Sequence, residues 1–255
     1  MEKKVIFTAG QRRVYKDAKD RITFKQLPYT PAEMIEMEPL QIHPKFADKN
    51  YMVLRDTTEI ITGVTAEMVD WWWANMEKGY YLWAPGEHYG FDWVVPPCEA
   101  GYEGSAEASY EFDPVDPITI TRQSIAKAYP FTECMEHCWV SIFDYDPSKI
   151  LFVHQYEDHP EGLYWRTISL MTKDDYDTYG NCFDSLPEFK SHMKYEAGMM
   201  NRFLPQLYDL WKDHPDPWEN VHYNLTVQKN EDGTWSHVYP NNPPSIDDVD
   251  PATIA

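Results

Sequence analysis

Between Gly104 and Met171 the chain passes through strand-like stretches at Ala106–Phe112, Ile118–Ile120, Cys138–Phe143, Ile150–His154 and Tyr164–Met171, and only then enters a long helical stretch from about Leu186 to Trp211. Asp113-Pro114, Asp146-Pro147 and Pro160-Glu161-Gly162 punctuate the strands as turns. Strands joined by such short turns pair antiparallel, and one long late helix must bury its apolar stripe against their sheet. The order predicts an α+β fold whose sheet curls around the helix. Upstream, Tyr51–Arg55 is strand-like, and Thr65 caps a helix that carries Trp71, Trp72 and Trp73 on a broad aromatic face. Pro205 falls inside the long helical stretch, where its missing N–H predicts a kink or an interruption.

This pattern divides the chain into an N-terminal arm or small helical segment over 1–50, a main domain over 51–230 and a polar, Pro-rich tail over 231–255. Within the arm, Thr30-Pro31-Ala32-Glu33-Met34 reads as an N-cap followed by proline at the first helical position. A formal charge of −20 and a pI near 4.7 argue against nucleic acid and against anionic membrane surfaces, both of which demand clustered Lys and Arg. No apolar run is long enough to span a bilayer, and four cysteines in 255 residues make no disulfide framework, so a cytoplasmic protein is expected. The aromatic content of 15% suits either a pocket for a flat phenolic ligand or a core built of rings.

The chemistry-bearing residues are scattered. His192 and Glu196 stand four apart on the long helix, hence on one face, either as a solvated pair or as two ligands of one ion. His88 follows Pro85-Gly86-Glu87, a turn that would present the imidazole from a loop. Glu107, Ser109 and Glu111 share one strand face, which is a carboxylate donor set if it lines a cavity and an acidic surface if it meets water. His154 ends an apolar strand and is either a general acid or base or a hydrogen-bonded core histidine, with Tyr164 and Arg166 on the next strand. Cys134-Met135-Glu136-His137-Cys138 superficially suggests a thiolate site, but neither Cys98 nor Cys182 adds a second ligand pair.

Taken together, these segments resemble the 2,4-diacetylphloroglucinol hydrolase and phloretin hydrolase family. The matching pieces are Tyr80-x-Leu82-Trp83-x-Pro85-x-x-His88, Gly104-Ser105 leading to Glu111, His154-Gln155-Tyr156 with Gly162, and His192-x-x-x-Glu196 with Phe203-Leu204-Pro205-Gln206-Leu207-Tyr208. The resemblance implies a helix-grip, Bet v 1-like catalytic domain and a zinc ion held by His88, Glu111, His192 and Glu196. Glu107 is the alternative to Glu111, because the spacing from His88 is shorter here than in the family. It further implies pocket roles for Tyr80, His154 and Tyr164, and leaves a homodimer open. The asparagine the family carries soon after its first histidine has no counterpart, since Tyr89-Gly90-Phe91-Asp92 follow His88.

The implied activity is zinc-dependent hydrolysis of the carbon–carbon bond between an acyl group and a phloroglucinol-type ring, with a small polyphenolic ketone as substrate. Two rival readings remain at this level. A helix-grip domain can instead be a non-catalytic carrier of aromatic ligands, and a non-haem iron oxygenase would use two histidines and one carboxylate with open positions.

Overall fold

The computed structural model describes residues 29–111, 113–125, 130–145, 148–180, 187–215 and 217–238. Strands β1 (Glu33–Ile35), β2 (Tyr51–Ile61), β3 (His88–Val95), β4 (Ala106–Glu111), β5 (Ile118–Arg122), β6 (His137–Tyr145), β7 (Ser148–His159) and β8 (Gly162–Thr172) form one sheet in the order β1-β2-β8-β7-β6-β5-β4-β3. Every neighbouring pair is antiparallel. From β3 to β8 sequence neighbours are spatial neighbours, as the turn residues predict, and β2 then lies against β8. Helices α1 (Ala66–Ala74) and α2 (Tyr80–Trp83) fill the connection between β2 and β3, α3 (Pro97–Ala100) joins β3 to β4, and α4 (Lys173–Tyr179) leads towards the long helix α5 (Pro187–Trp211). This is the expected α+β helix-grip arrangement. Among the described residues no helix is long and apolar enough to cross a membrane.

The register decides which side chains face the helices. One row across the sheet holds Arg55, Ser169, Phe152, Ser141 and Arg122, the next Thr57, Thr167, His154 and Trp139, and a third Glu59, Trp165, Tyr156 and His137. Their alternates, including Arg166, Ile168, Leu170, Val153 and Cys138, point to the opposite face. That face is also covered: Ile125, Phe131 and Val227 complete a second core there, with Leu40, Ile42 and Trp235 packed against it. The middle of β7 and most of β8 are therefore buried on both sides, and β7 accordingly carries the unbroken apolar run Ile150–Val153.

Three sequence expectations change. Thr30-Pro31 does not open a helix, because Glu33–Ile35 pair with Thr58–Ile60 on the free edge of β2, and the short 3-10 helix comes later, at Pro44–Lys49. Pro205 does not interrupt α5, which runs on to Trp211. The boundary at 230/231 falls in the turn of a hairpin between β9 (Val227–Lys229) and β10 (Trp235–His237), so this segment belongs to the body of the fold. Residues 1–28 of the arm, the tail beyond 238 and Cys182 lie outside the described residues.

Helix α1 begins as predicted, with the Thr65 hydroxyl accepting from the Met68 N–H. Its three consecutive tryptophans are all fully buried. Successive residues turn by about 100° around a helix, so each ring meets a different partner. Trp71 packs edge-on to Tyr208 of α5, Trp72 meets both Phe203 of α5 and Trp83 of α2, and Trp73 stacks on Trp139 with ring centroids 4.4 Å apart. Each such ring removes roughly 150–250 Å² from water, and truncating one to alanine costs about 3–5 kcal/mol.

Asp70, on the same helix, is a buried carboxylate that accepts from the Tyr156 hydroxyl at 2.7 Å, the Leu225 N–H at 3.1 Å and His137 Nδ1 at 3.1 Å. It ties α1 to β6, β7 and the C-terminal segment. Burial opposes charge on His137, but the hydrogen bond and charge of Asp70 outweigh it, and the imidazole titrates above its ordinary 6.5. Asp70→Ala strands these donors and is expected to cost about 3 kcal/mol in chemical denaturation. The His137 share of that stability is full below pH 6.5 and fades as pH rises through the elevated value. The gap between wild type and variant should therefore narrow from mildly acidic to alkaline pH, and a gap that widens would rule out this linkage.

Candidate functional site

Three elements bring the candidate ligands together. On α5, His192 and Glu196 lie on the stripe that continues through Met200, Phe203 and Leu207, all of them buried. The solvated-face reading of this pair therefore fails: His192 is 1% and Glu196 4% exposed. The second element is the turn after α2. The Ala84 carbonyl accepts from both the Glu87 and His88 N–H groups, and Gly86 takes the left-handed conformation (φ 91°) that the turn requires. His88 then emerges as the first residue of strand β3 rather than from a loop, with Glu111 of β4 directly across the ladder. That pairing supplies the third element.

The geometry converges on one point. His88 Nε2 lies 3.0 Å from Glu196 Oε1, His192 Nε2 lies 3.3 Å from the same oxygen, and the two Nε2 atoms are 3.4 Å apart. Among the described residues this is the one group of three or more His, Cys, Asp or Glu side chains whose ligand atoms lie together in this way. Both imidazoles are held from behind: His88 Nδ1 donates to the Tyr80 carbonyl at 3.0 Å, and His192 Nδ1 to Glu87 Oε2 at 2.6 Å. Donation from Nδ1 directs the Nε2 lone pairs inward, the orientation that metal-ligating histidines take from such partners. For bonds of about 2.0–2.1 Å, the edge of a tetrahedral coordination shell is roughly 3.3–3.4 Å. Two edges of the observed triangle, 3.3 and 3.4 Å, have these dimensions and the third, 3.0 Å, is slightly shorter, so the donor set fits a small divalent cation.

Charge follows the same pattern. Burial disfavours the His192 imidazolium, but Glu196, Glu111 and Glu87 overcome it and raise the group to about 10. Burial likewise pushes Glu196 up, while the charge and hydrogen bonds of His192 and His88 bring it down to about 2. The buried carboxylates thus demand a positive partner, whether a proton on His192 or a cation.

Glu111 stands at the edge of this group, 3.8 Å from His192 Nε2, and accepts from the Tyr80 hydroxyl. Tyr80 lies flat over His88 with ring centroids 4.0 Å apart. Burial, with Glu111 and Glu196 nearby, keeps its phenol protonated far above the ordinary range. Glu107, the alternative ligand, is taken up elsewhere: it forms a buried ion pair with Arg122 of β5, whose guanidinium lies over Trp93. Both glutamates nevertheless face one cavity, shared with Glu196, His154, Trp73 and Trp139, whose space amounts to about 370 Å³ with its mouth included. Trp73, Trp83 and Trp139 line this cavity, and among the described residues their buried indole N–H groups meet no hydrogen-bond acceptor.

His154 lies on the cavity wall, surrounded by Trp73, Trp139, Phe152 and Trp165, with Nδ1 3.2 Å from the Thr167 hydroxyl. Tyr164 does not join it. Strand alternation turns Tyr164 to the opposite face, where its ring stacks on His159 and its hydroxyl meets His159 Nε2 at 2.9 Å. Its neighbour Arg166 points the same way and clamps Asp56 with two bonds of 2.7 Å. The Cys134–Cys138 segment holds free thiols, with Cys138 fully buried, and takes no part in the cluster.

No family model matches the chain, and no curated protein matches it. Among solved structures it is similar to a protein from Rhodobacter sphaeroides (15% identity over 66% of this chain and 99% of that one, TM-score 0.38). It is also similar to a truncated norcoclaurine synthase from Thalictrum flavum (9%, 65% and 96%, TM-score 0.36) and to Ara h 8.0201 (10%, 61% and 99%, TM-score 0.34). At scores this low, the fold stands on the chain's own strand order and long helix.

Burial lowers His154 to about 3, against the opposing pull of Glu196. Its imidazole is expected to stay neutral at about pH 5, where an ordinary histidine is protonated. Nitrogen-detected NMR of the ring would check this, and protonation near 6.5 would contradict the dry environment drawn here.

Proposed function

We propose that the chain is a zinc-dependent hydrolase that cleaves the bond between an acyl group and an electron-rich, phloroglucinol-type ring. The observation that carries this reading is the convergence of two inward-facing Nε2 atoms on a buried carboxylate beside an aromatic cavity. His88, His192 and Glu196 would hold the ion, with Glu111 as the fourth ligand or as the acceptor that positions Tyr80. Zinc there would supply a Lewis acid and an acidified water, whose pKa in such sites falls to about 7.

The remaining work belongs to side chains. The overall change is Ar–CO–R plus water giving Ar–H and R–COOH: the hydroxyl goes to the acyl carbon and a proton goes to the ring carbon. A bare aryl carbanion is prohibitive as a leaving group, so the ring must present a keto tautomer at the carbon bearing the acyl group. Its bonding electrons then move into an enolate oxygen. Trp73 and Trp139 form the walls against which a flat ring would lie. Neutral His154 is available to take a proton and deliver it to the ring carbon, with the Thr167 hydroxyl fixing its orientation. Tyr80, protonated and directed by Glu111, would donate to the acyl oxygen or a ring hydroxyl.

Purified protein is expected to carry one zinc per chain and to release a carboxylic acid from an acylphloroglucinol. His192→Ala or Glu196→Ala should lose both metal and turnover. Glu87→Gln, which weakens the support of His192, should lower metal affinity about 10–100-fold. His154→Ala should keep the metal and lose roughly 10²–10⁴-fold in rate. Metal-free protein that still binds acylphloroglucinols would favour the carrier reading. Full hydrolysis by His192→Ala would sink the proposal.

A further inference from the structure

Among the described residues, the ionisable side chains lining the inner cavity are Glu107, Glu111, His154 and Glu196. Three of them have roles in the mechanism above, and Glu107 has none. It shares a face of β4 with Glu111, four residues and roughly 13 Å along the strand from it. Glu111 adjoins the His88–His192–Glu196 cluster, so Glu107 marks the part of the cavity remote from the cluster. Ile120 and Phe143, which follow Glu107 across the register of β5 and β6, surround it with apolar wall.

Glu107 is 1% and its partner Arg122 0% exposed. The guanidinium is fixed from several sides. Besides pairing with Glu107 Oε2, its Nη2 donates to the Trp73 carbonyl at 3.2 Å and lies 3.4 Å from Met76 Sδ. It also sits over the rings of Trp93 and Trp139, 4.8 and 5.8 Å from their centroids. A carboxylate offers about four acceptor positions, and Glu107 Oε1 receives the Ser109 hydroxyl only at a long 3.3 Å. Burial, helped by the charge of Glu111, pushes the carboxyl above its ordinary 4.5 although Arg122 opposes it. A further donor therefore stabilises the anion. Because Arg122 already balances the charge, a neutral hydroxyl suits this position better than an ammonium.

We propose that Glu107, held in place by Arg122, accepts a hydrogen bond from the ring hydroxyl farthest from the acyl group, and that this bond selects rings hydroxylated there. The placement of the acyl end at the His88–His192–Glu196 cluster rests on the hydrolase reading above, whereas recognition of a hydroxyl by Glu107 does not. Glu107 is thus a specificity-determining residue and Arg122 a positioning residue. The ring that fits has its far hydroxyl free, because hydroxyls beside the acyl group bond to its carbonyl instead.

The test compares 2,4,6-trihydroxyacetophenone with 2,6-dihydroxyacetophenone, which lacks only the far hydroxyl, on the full-length protein. Binding is followed by tryptophan fluorescence after rapid mixing, before turnover. The trihydroxy compound should bind at least about tenfold more tightly, as one hydrogen bond to a charged group provides. Glu107→Gln should reduce that preference several-fold. Glu107→Leu/Arg122→Met removes both buried charges at similar volume, a change that folded proteins tolerate, and should abolish it. Affinity of the double variant for the dihydroxy compound should stay within about twofold of wild type, whereas a collapsed cavity would weaken both ligands alike. Equal wild-type affinities, no binding of either ketone, an unchanged preference in the double variant, or parallel loss of both ligands would overturn the proposal. So would tighter binding of 4-(aminomethyl)acetophenone than of 4-hydroxyacetophenone. Turnover of the trihydroxy ketone, followed alongside, separates the two readings: preference without turnover defeats the hydrolase and leaves the hydroxyl site, and turnover without preference does the reverse.

Discussion

The packing of Trp71, Trp72 and Trp73 between the sheet and helix α5 is the constraint on which the other features rest. Three indoles in succession cannot share one helix face, so α1 must be enclosed, with α5 and α2 on two sides and the sheet on the third. This enclosure fixes where α2 ends, and with it the turn that delivers His88. It also fixes the height of α5 against the sheet, because Phe203 and Tyr208 are the surfaces that Trp72 and Trp71 meet. Asp70 adds direction to a contact that is otherwise only shape, since its hydrogen-bond donors come from three separate segments.

On that frame the buried charges are the costly component. His88, His192, Glu196 and Glu107 are each less than about a twentieth exposed, and an uncompensated charge at such depth costs several kcal/mol. Each has a partner: Glu107 has Arg122, and Glu196 has the two imidazoles. The acceptors behind the two imidazoles make the difference between an ion pair and a ligand set. Glu87 and the Tyr80 carbonyl occupy both Nδ1 atoms, which leaves two Nε2 atoms facing each other across 3.4 Å. Two lone pairs at that separation repel unless a proton or a cation lies between them.

Much of this could be read in the sequence, for identifiable reasons. The strand stretches, the turns at Asp113-Pro114 and Pro160-Glu161-Gly162, the Thr65 cap and the long helix are local, set by residues within a few positions of one another, and they appear among the described residues, whereas the turn expected at Asp146-Pro147 lies outside them. The strand face of Glu107, Ser109 and Glu111 and the shared helix face of His192 and Glu196 follow from periodicities of two and 3.6 residues. The pocket role that the resemblance implied for Tyr164 failed because register decides which face a strand residue takes, and Tyr164 alternates away from the cavity to stack on His159. Thr30-Pro31 misled for a related reason: the free edge of β2 offers hydrogen bonds that outweigh a local capping preference. Glu87 was overlooked although it adjoins His88, because its partner lies 105 residues away. Arg122 carried a signal, since it shares a face with Ile118 and Ile120 on an apolar strand and so had to be a buried cation.

What the sequence determined by itself is the class of fold, the segments that carry donors and the faces those donors share, because each depends on short-range periodicity. Only the tertiary structure decided that the His192–Glu196 face is buried and that Glu111 rather than Glu107 adjoins it. It also decided that His154 is a buried imidazole on the wall of the inner cavity. Those outcomes depend on register across the sheet and on how closely three tryptophans draw α5 to it, and both are properties of contacts between residues far apart in the chain.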